Sequence, residues 1–216
     1  MVYKLLKLKA SPPCRAVSII AKALNVEIDE HEIDYRNGEH LQPEFLKLNP
    51  LHTVPILDDD GLILCDSHAI AVYLIFKHAK DDSLYPKDPR QRALVDQKNA
   101  FDLGIIFPML RTVDTAYMNH EIKELTEKMI KDIKNVYNYL ETFLKNSEWI
   151  AIDRLTIADV HCVTTVTCLN YHVKIEPEDY PNTFNWMKRC LEMPYFGNDS
   201  ERLQLFENFF DELKNK

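Results

Sequence analysis

The chain has 216 residues, 46% of them hydrophobic, with 26 Lys and Arg set against 34 Asp and Glu. That length holds one large domain or two small ones, and the apolar share supports a sizeable core. A net charge of −8 argues against nucleic acid or an anionic membrane as main partner, and no apolar run approaches the ~20 residues that span a bilayer.

Residues 1–78 alternate strand and helix signals. Tyr3 to Leu8 reads as a strand. Pro12-Pro13 opens a helix, because proline is tolerated in the first turn, and Ala16, Val17, Ile19, Ile20, Ala23 and Leu24 give it an apolar face. Ile28 to Ile33 is a weaker strand, and Pro43 to Leu48 a short helix. Two strands flank Asp58-Asp59-Asp60-Gly61, and a helix runs from Ser67 to about Lys77. The order is βαβ, helix, ββα, with the first two strands parallel and the last two an antiparallel hairpin. Residues 81–89, Asp81 to Pro89, form a linker by composition. Everything beyond reads as helix: one from about Glu121 to Asn146 with apolar steps of three and four, and an earlier one kinked by Pro108. Thr156-Ile157-Ala158-Asp159 is a capping-box variant. Phe206, Phe209, Phe210 and Leu213 mark a final amphipathic helix. The reading is an α/β domain over 1–80 and an all-α domain over 90–216.

Scarce residue types exclude further classes. The five Cys, at 14, 65, 162, 168 and 190, form no C-x-x-C pair, which fits a reducing, cytoplasmic setting. Met1 leads directly into a strand-like Val2-Tyr3-Lys4-Leu5 rather than a signal peptide. The four Gly, at 38, 61, 104 and 197, cannot form a phosphate-cradling loop, and the His spacing matches no metal motif, so no metal is expected.

Two segments carry the chemistry. In Asn49-Pro50-Leu51-His52-Thr53-Val54-Pro55, the backbone before Pro55 is held extended and offers an N–H and a C=O to another extended backbone. In Asp66-Ser67-His68-Ala69-Ile70, a helix start offers N–H groups, a hydroxyl and a dipole that favour a carboxylate, while Asp66 accepts from an ammonium. A peptide-like ligand bearing both charges suits the pair.

With Ser11-Pro12-Pro13-Cys14-Arg15, the His-Thr-Val-Pro segment, the Asp-Ser pair, the linker and the Thr156–Asp159 cap, the chain resembles the cytosolic glutathione S-transferases of the insect delta/epsilon type over nearly its whole length. Asp66-Ser67-His68 is nearer the epsilon pattern. The resemblance implies a thioredoxin-like domain followed by a helical domain, a homodimer, and glutathione as co-substrate. Ser11 becomes the hydroxyl that activates the glutathione thiol. The peptide is held by His40, His52, Thr53, Val54, Pro55, Asp66, Ser67, His68 and Arg111, with a cis bond before Pro55. A hydrophobic electrophile lies against Pro13, Tyr35, Phe107, Leu110, Arg111, Asp114 and Met118. One departure is Ile152 before Asp153, where the family usually has Gly, so that turn is either strained or rebuilt.

A cysteine thiol has a pKa of about 8.5, and lowering it by two units takes ~2.7 kcal/mol. A hydroxyl bonded to the sulfur anion supplies roughly 1.5–3 kcal/mol, and a helix N-terminus about 0.3–1 kcal/mol. No general base is needed. The expected outcome is detoxifying conjugation, with dehydrohalogenation and peroxide reduction as side activities. Plainer readings stand beside each residue. Ser11 also reads as an N-cap, Cys14 as packing or as a redox thiol, and Phe107, Leu110 and Met118 as core. Asp114 reads first as a surface charge, and otherwise as a partner for a hydroxylated ligand such as a sterol. The alternative to an enzyme is a low-turnover binding protein for hydrophobic or sterol-like molecules.

Overall fold

The computed structural model describes residues 3–215. The leaderless start read from Met1 and Val2 lies outside them. Two units divide the chain, Met1–Asp81 and Asp82–Lys216.

In the first unit, β1 (Tyr3–Lys7), α1 (Pro12–Ala23), β2 (Ile28–Glu32), a 3-10 turn (Glu39–Leu41), α2 (Pro43–Leu48), β3 (Ile56–Asp59), β4 (Leu62–Cys65) and α3 (Ser67–His78) follow in order. The sheet order is β2-β1-β3-β4. β1 and β2 run parallel, whereas β3 is antiparallel to both β1 and β4. The β3–β4 turn is Asp60-Gly61, with φ of 52° and 92°, the left-handed pair that a two-residue hairpin loop requires. Alternation along the strands sorts the core. Leu5 and Leu57 pack with Val17 and Ala21 of α1 and Ile70 and Leu74 of α3, while their neighbours Leu6 and Ile56 pack with Phe45 of α2.

The second unit holds α4 (Pro89–Phe101), a π-turn (Asp102–Ile106), α5 (Phe107–Met118), α6 (Glu127–Phe143), α7 (Ile157–His172), α8 (Pro181–Leu191) and α9 (Asp199–Lys214). The interruption expected at Pro108 takes the form of the π-turn. Its wider ring relieves the clash between a proline and the preceding carbonyl. The helix expected from about Glu121 begins later. Thr126 accepts from the Met129 N–H at 3.2 Å and caps α6, which leaves Ile122 and Leu125 outside it. α7 is buried on all sides from Ile157 to Leu169 and is the central helix of the unit. Its capping box forms as expected. Ile152 is not among the residues with positive φ, so its turn is rebuilt around a buried side chain rather than strained.

Asp114 corrects the surface reading. Its carboxylate accepts from His172 Nε2 at 2.8 Å, and the imidazole is fully buried, stacked on Tyr117 with ring centroids 5.6 Å apart. Burial pushes the Asp114 carboxyl up, and His172 opposes that. Asp114→Ala strips a buried N–H of its acceptor. It is expected to destabilise the unit by about 1–3 kcal/mol, read as a lower thermal midpoint. An unchanged melt would show that the pair contributes nothing.

Candidate functional site at one end of the sheet

Strand register gathers the motif residues. Leu6 of β1 faces Ile56 of β3, and Ile56 faces Cys65 of β4. Because β3 runs opposite to both neighbours, the residues after β1, before β3 and after β4 emerge at the same end of the sheet. β2 is parallel to β1, so the segment after it emerges there too. Ser11, His52–Pro55, Asp66–His68 and the Tyr35–His40 loop are therefore neighbours by topology.

Ser11 is the N-cap of α1, with extended backbone at φ −67° and ψ 125° and no side-chain capping bond. Pro12 and Pro13 remove two of the amide N–H groups that a helix start usually offers. The hydroxyl is thus the principal donor at this end.

The Val54-Pro55 bond is cis, and Val54 lies beyond the last β1–β3 pair, so its backbone is outside the ladder. The loop before it is tied by a residue given no role in the sequence reading. Asn49, 1% exposed, donates Nδ2 to the Thr53 carbonyl at 2.9 Å and to its Oγ1 at 3.0 Å, and accepts from the Leu51 N–H at 3.0 Å. The His52 N–H closes the turn on the Asn49 carbonyl at 3.0 Å, with φ of 47°.

Asp66 caps α3, accepting from the Ala69 N–H at 2.9 Å through Oδ1. Its φ of 109° is unusual for a residue with a side chain, a strain that concentrates at binding sites. Ser67 follows at the positive end of the helix, with its Oγ 3.4 Å from His68 Nδ1. Both side chains are buried while Asp66 is exposed.

His40 stacks on Tyr35 with centroids 4.2 Å apart and lies 6.2 Å from the His52 ring. Burial, then His52, lowers the pKa of His40, so it is a neutral imidazole at pH 7. Its Nδ1 is buried with no hydrogen-bond partner. Cys14 is buried, and that burial pushes its thiol up to about 11, which fits packing rather than a redox nucleophile.

The residues expected to meet a second substrate divide. Pro13 and Tyr35 keep exposed surface in the first unit. Phe107, Arg111, Asp114 and Met118 follow at steps of four, three and four on one stripe of α5, with Arg111 exposed and Phe107 and Met118 partly so. Leu110 is 1% exposed and sits in the core stripe with Val113 and Tyr117, so substrate contact there gives way to packing.

Fold and site together define a class: an α/β unit whose sheet end suits a charged, peptide-like ligand, followed by an all-helical unit. Family models described as glutathione S-transferase, N-terminal domain, and glutathione S-transferase, C-terminal domain, match residues 5–82 and 102–194. Glutathione S-transferase 1 of Manduca sexta is 40% identical over 207 residues, covering 92% of this chain and 95% of that protein. An epsilon-class glutathione S-transferase from the housefly, Musca domestica, is similar with a TM-score of 0.94 at 37% identity over 98% of each chain. A glutathione transferase homolog of Drosophila mojavensis, solved with bound glutathione, has a TM-score of 0.94 at 36% identity, covering 98% of this chain and 97% of that one. The chain belongs to the glutathione S-transferase family.

Proposed function

We propose that this protein conjugates glutathione to hydrophobic electrophiles, with Ser11 holding the tripeptide sulfur as a thiolate. The observation that carries the reading is the uncapped Ser11 hydroxyl at the sheet end where the peptide-binding loops converge. The γ-glutamyl carboxylate meets the Ser67 N–H and hydroxyl at the start of α3, and the ammonium meets Asp66. The Val54 backbone pairs with the cysteinyl residue. His52, Thr53 and neutral His40 take the glycyl end. His68 supports Ser67, and Pro55 fixes the entry to β3.

Bound in this way, the thiol lies beside Ser11. Its proton leaves to solvent, and the hydroxyl donates to the resulting anion. The sulfur then attacks the electrophilic carbon and expels the leaving group. Arg111 stabilises anionic charge that develops on the acceptor. Phe107, Met118, Pro13 and Tyr35 supply apolar contact, and the polarizable thioether suits varied shapes. Dehydrohalogenation and peroxide reduction use the same thiolate. Among the described residues no helix is long and apolar enough to cross a membrane. A cytoplasmic homodimer is the proposed state, and sedimentation velocity tests the dimer.

Conjugation of glutathione to a small chlorinated nitroaromatic acceptor, with glutathione binding measured in parallel, tests the reading. Binding with turnover supports it. Binding without turnover of any acceptor would favour the low-turnover binder instead. Asn49→Ala frees the His52–Val54 loop while leaving Ser11 in place. Glutathione affinity is expected to fall about three- to tenfold, the worth of one hydrogen bond, with kcat nearly unchanged. A fall in kcat at unchanged affinity would contradict the anchoring role.

A further inference from the structure

The α5 stripe that carries Arg111 and Met118 also carries a carboxylate that the proposed reaction does not use. Asp114 lies one turn beyond Arg111, and its two oxygens have different surroundings. Oδ1 accepts from His172 Nε2 at 2.8 Å. Oδ2 has no partner among the described residues and is not enclosed, and the side chain keeps 18% of its surface exposed. The imidazole behind it is fully buried. Tyr117, Tyr171, Phe206 and Phe210 surround that ring, with centroids 5.6, 5.0, 5.8 and 5.1 Å away. His172 Nδ1 is buried without a hydrogen-bond partner, so Nε2 is the polar tie of the ring. A caged imidazole thus pins one oxygen of Asp114 and leaves the other open to the surface.

The charges around Asp114 decide which ligand group suits that open oxygen. Arg111 is exposed, and about 5–6 Å separates the Cβ atoms of residues one turn apart on a helix. Lys214 of α9 also acts on Asp114, from a place over the Tyr171 and Tyr117 rings, 4.1 and 5.3 Å from their centroids. Neither cation is in ion-pair contact with Asp114, whose partner among the described residues is His172. Two nearby positive charges disfavour a cationic ligand group, so the fitting partner is a neutral O–H or N–H. A hydrogen bond to a charged acceptor is stronger than one between neutral groups. One helical turn also suits two substituents on a single aromatic ring, an electron-withdrawing one at Arg111 and a hydrogen-bond donor at Asp114.

We infer that Asp114 sets acceptor specificity: its open Oδ2, held in place by buried His172, accepts from a neutral O–H or N–H group on the electrophile. This inference rests on the proposed conjugation at the α5 stripe. Phe107 and Met118 give apolar contact to acceptors of many kinds, whereas a fixed acceptor oxygen discriminates, because an electrophile without a donor leaves it unpaired.

The test uses two acceptors, a chloronitrobenzamide and its N,N-dimethyl form, which keeps the carbonyl and lacks the N–H. The readout is the ratio of their kcat/KM values, each divided by the uncatalysed rate with glutathione. The wild type is expected to favour the primary amide about three- to tenfold, the worth of one hydrogen bond. Asp114→Asn keeps an oxygen for His172 Nε2 and turns an NH₂ group outward, so its ratio is expected to fall to unity or below. Asp114→Ala, read below its lowered thermal midpoint, is the second variant and is expected to show a ratio near unity. A wild-type ratio of unity overturns the inference. So does a wild-type preference that both variants retain, because the size of the acceptor then explains it. Turnover of both acceptors without preference removes only the role of Asp114 and leaves the proposed conjugation standing. Turnover of neither acceptor by the wild type removes both.

Discussion

Ser11→Ala is expected to slow conjugation about ten- to hundredfold well below both thiol pKa values, and less at neutral pH, while glutathione still binds with nearly wild-type affinity. The binding energy sits in contacts along the whole peptide, from the Val54 backbone to Asp66 and Ser67. The hydroxyl acts on the sulfur alone. In the neutral thiol its bond is worth little, whereas in the anion it is charge-assisted and worth about 1.5–3 kcal/mol. Losing it raises the bound thiol pKa by about one to two units. The pH dependence follows in sign. Well below both pKa values the rate ratio of wild type to variant equals the full ionisation difference. As pH rises through the wild-type value and then the variant's, the ratio shrinks towards unity, because both sulfurs are then anionic. The helix start cannot compensate, since Pro12 and Pro13 lack N–H groups. Stopped-flow absorbance of the bound thiolate, taken with the rate profile across pH, checks this. A ratio that stays constant across pH would mean that Ser11 acts on something other than ionisation.

Much of the first unit is legible in the sequence because its signals are local. Asp60-Gly61 lies in the turn between two apolar strands and Pro12 and Pro43 open helices, whereas the strand order that brings the motif loops to one end is seen only in the structure. The parts that escaped are long-range or masked by pattern. The apolar steps at Ile122 and Leu125 fit a helical period, so periodicity extended α6 past the cap at Thr126. α7 is buried on every side, its threonines and His161 included, and shows no stripe to read. Asp114 and His172 are 58 residues apart, and no local pattern announces their pairing. Asn49 is a polar loop residue whose importance lies in burial, and the nearest signal is its place just before Pro50 and the His52 turn. Lys7 looks like an ordinary strand lysine until the pairing of β1 with β2 brings Glu30, opposite Leu5, within ion-pair reach of it.

Asp159→Ala is expected to cost more stability than any other substitution proposed for this chain. The side chain is fully buried and each oxygen accepts twice. Oδ1 takes the Ile150 N–H at 2.8 Å and the Trp186 indole N–H at 3.0 Å. Oδ2 takes the Thr156 N–H at 2.8 Å and its hydroxyl at 3.1 Å. One carboxylate thus joins the loop before α7, the start of α7 and the middle of α8. Burial pushes its carboxyl up, and these donors act against that. Alanine leaves several buried donors unsatisfied, at about 1–3 kcal/mol each. A total near 4 kcal/mol or more is a large share of the roughly 5–15 kcal/mol that holds a protein folded, and corresponds to a fall of about 10 °C or more in thermal midpoint. Asp159→Asn sharpens the test, since its shape is nearly the same. Its amide group must point N–H bonds either at the Ile150 and Trp186 donors or at the Thr156 backbone N–H, where the Thr156 hydroxyl can turn and accept one of them. The amide variant should therefore melt below wild type and above Asp159→Ala. The Trp186 fluorescence change should track unfolding of the helical unit in both. An Asp159→Asn protein that melts within about two degrees of wild type would show that one acceptor oxygen suffices.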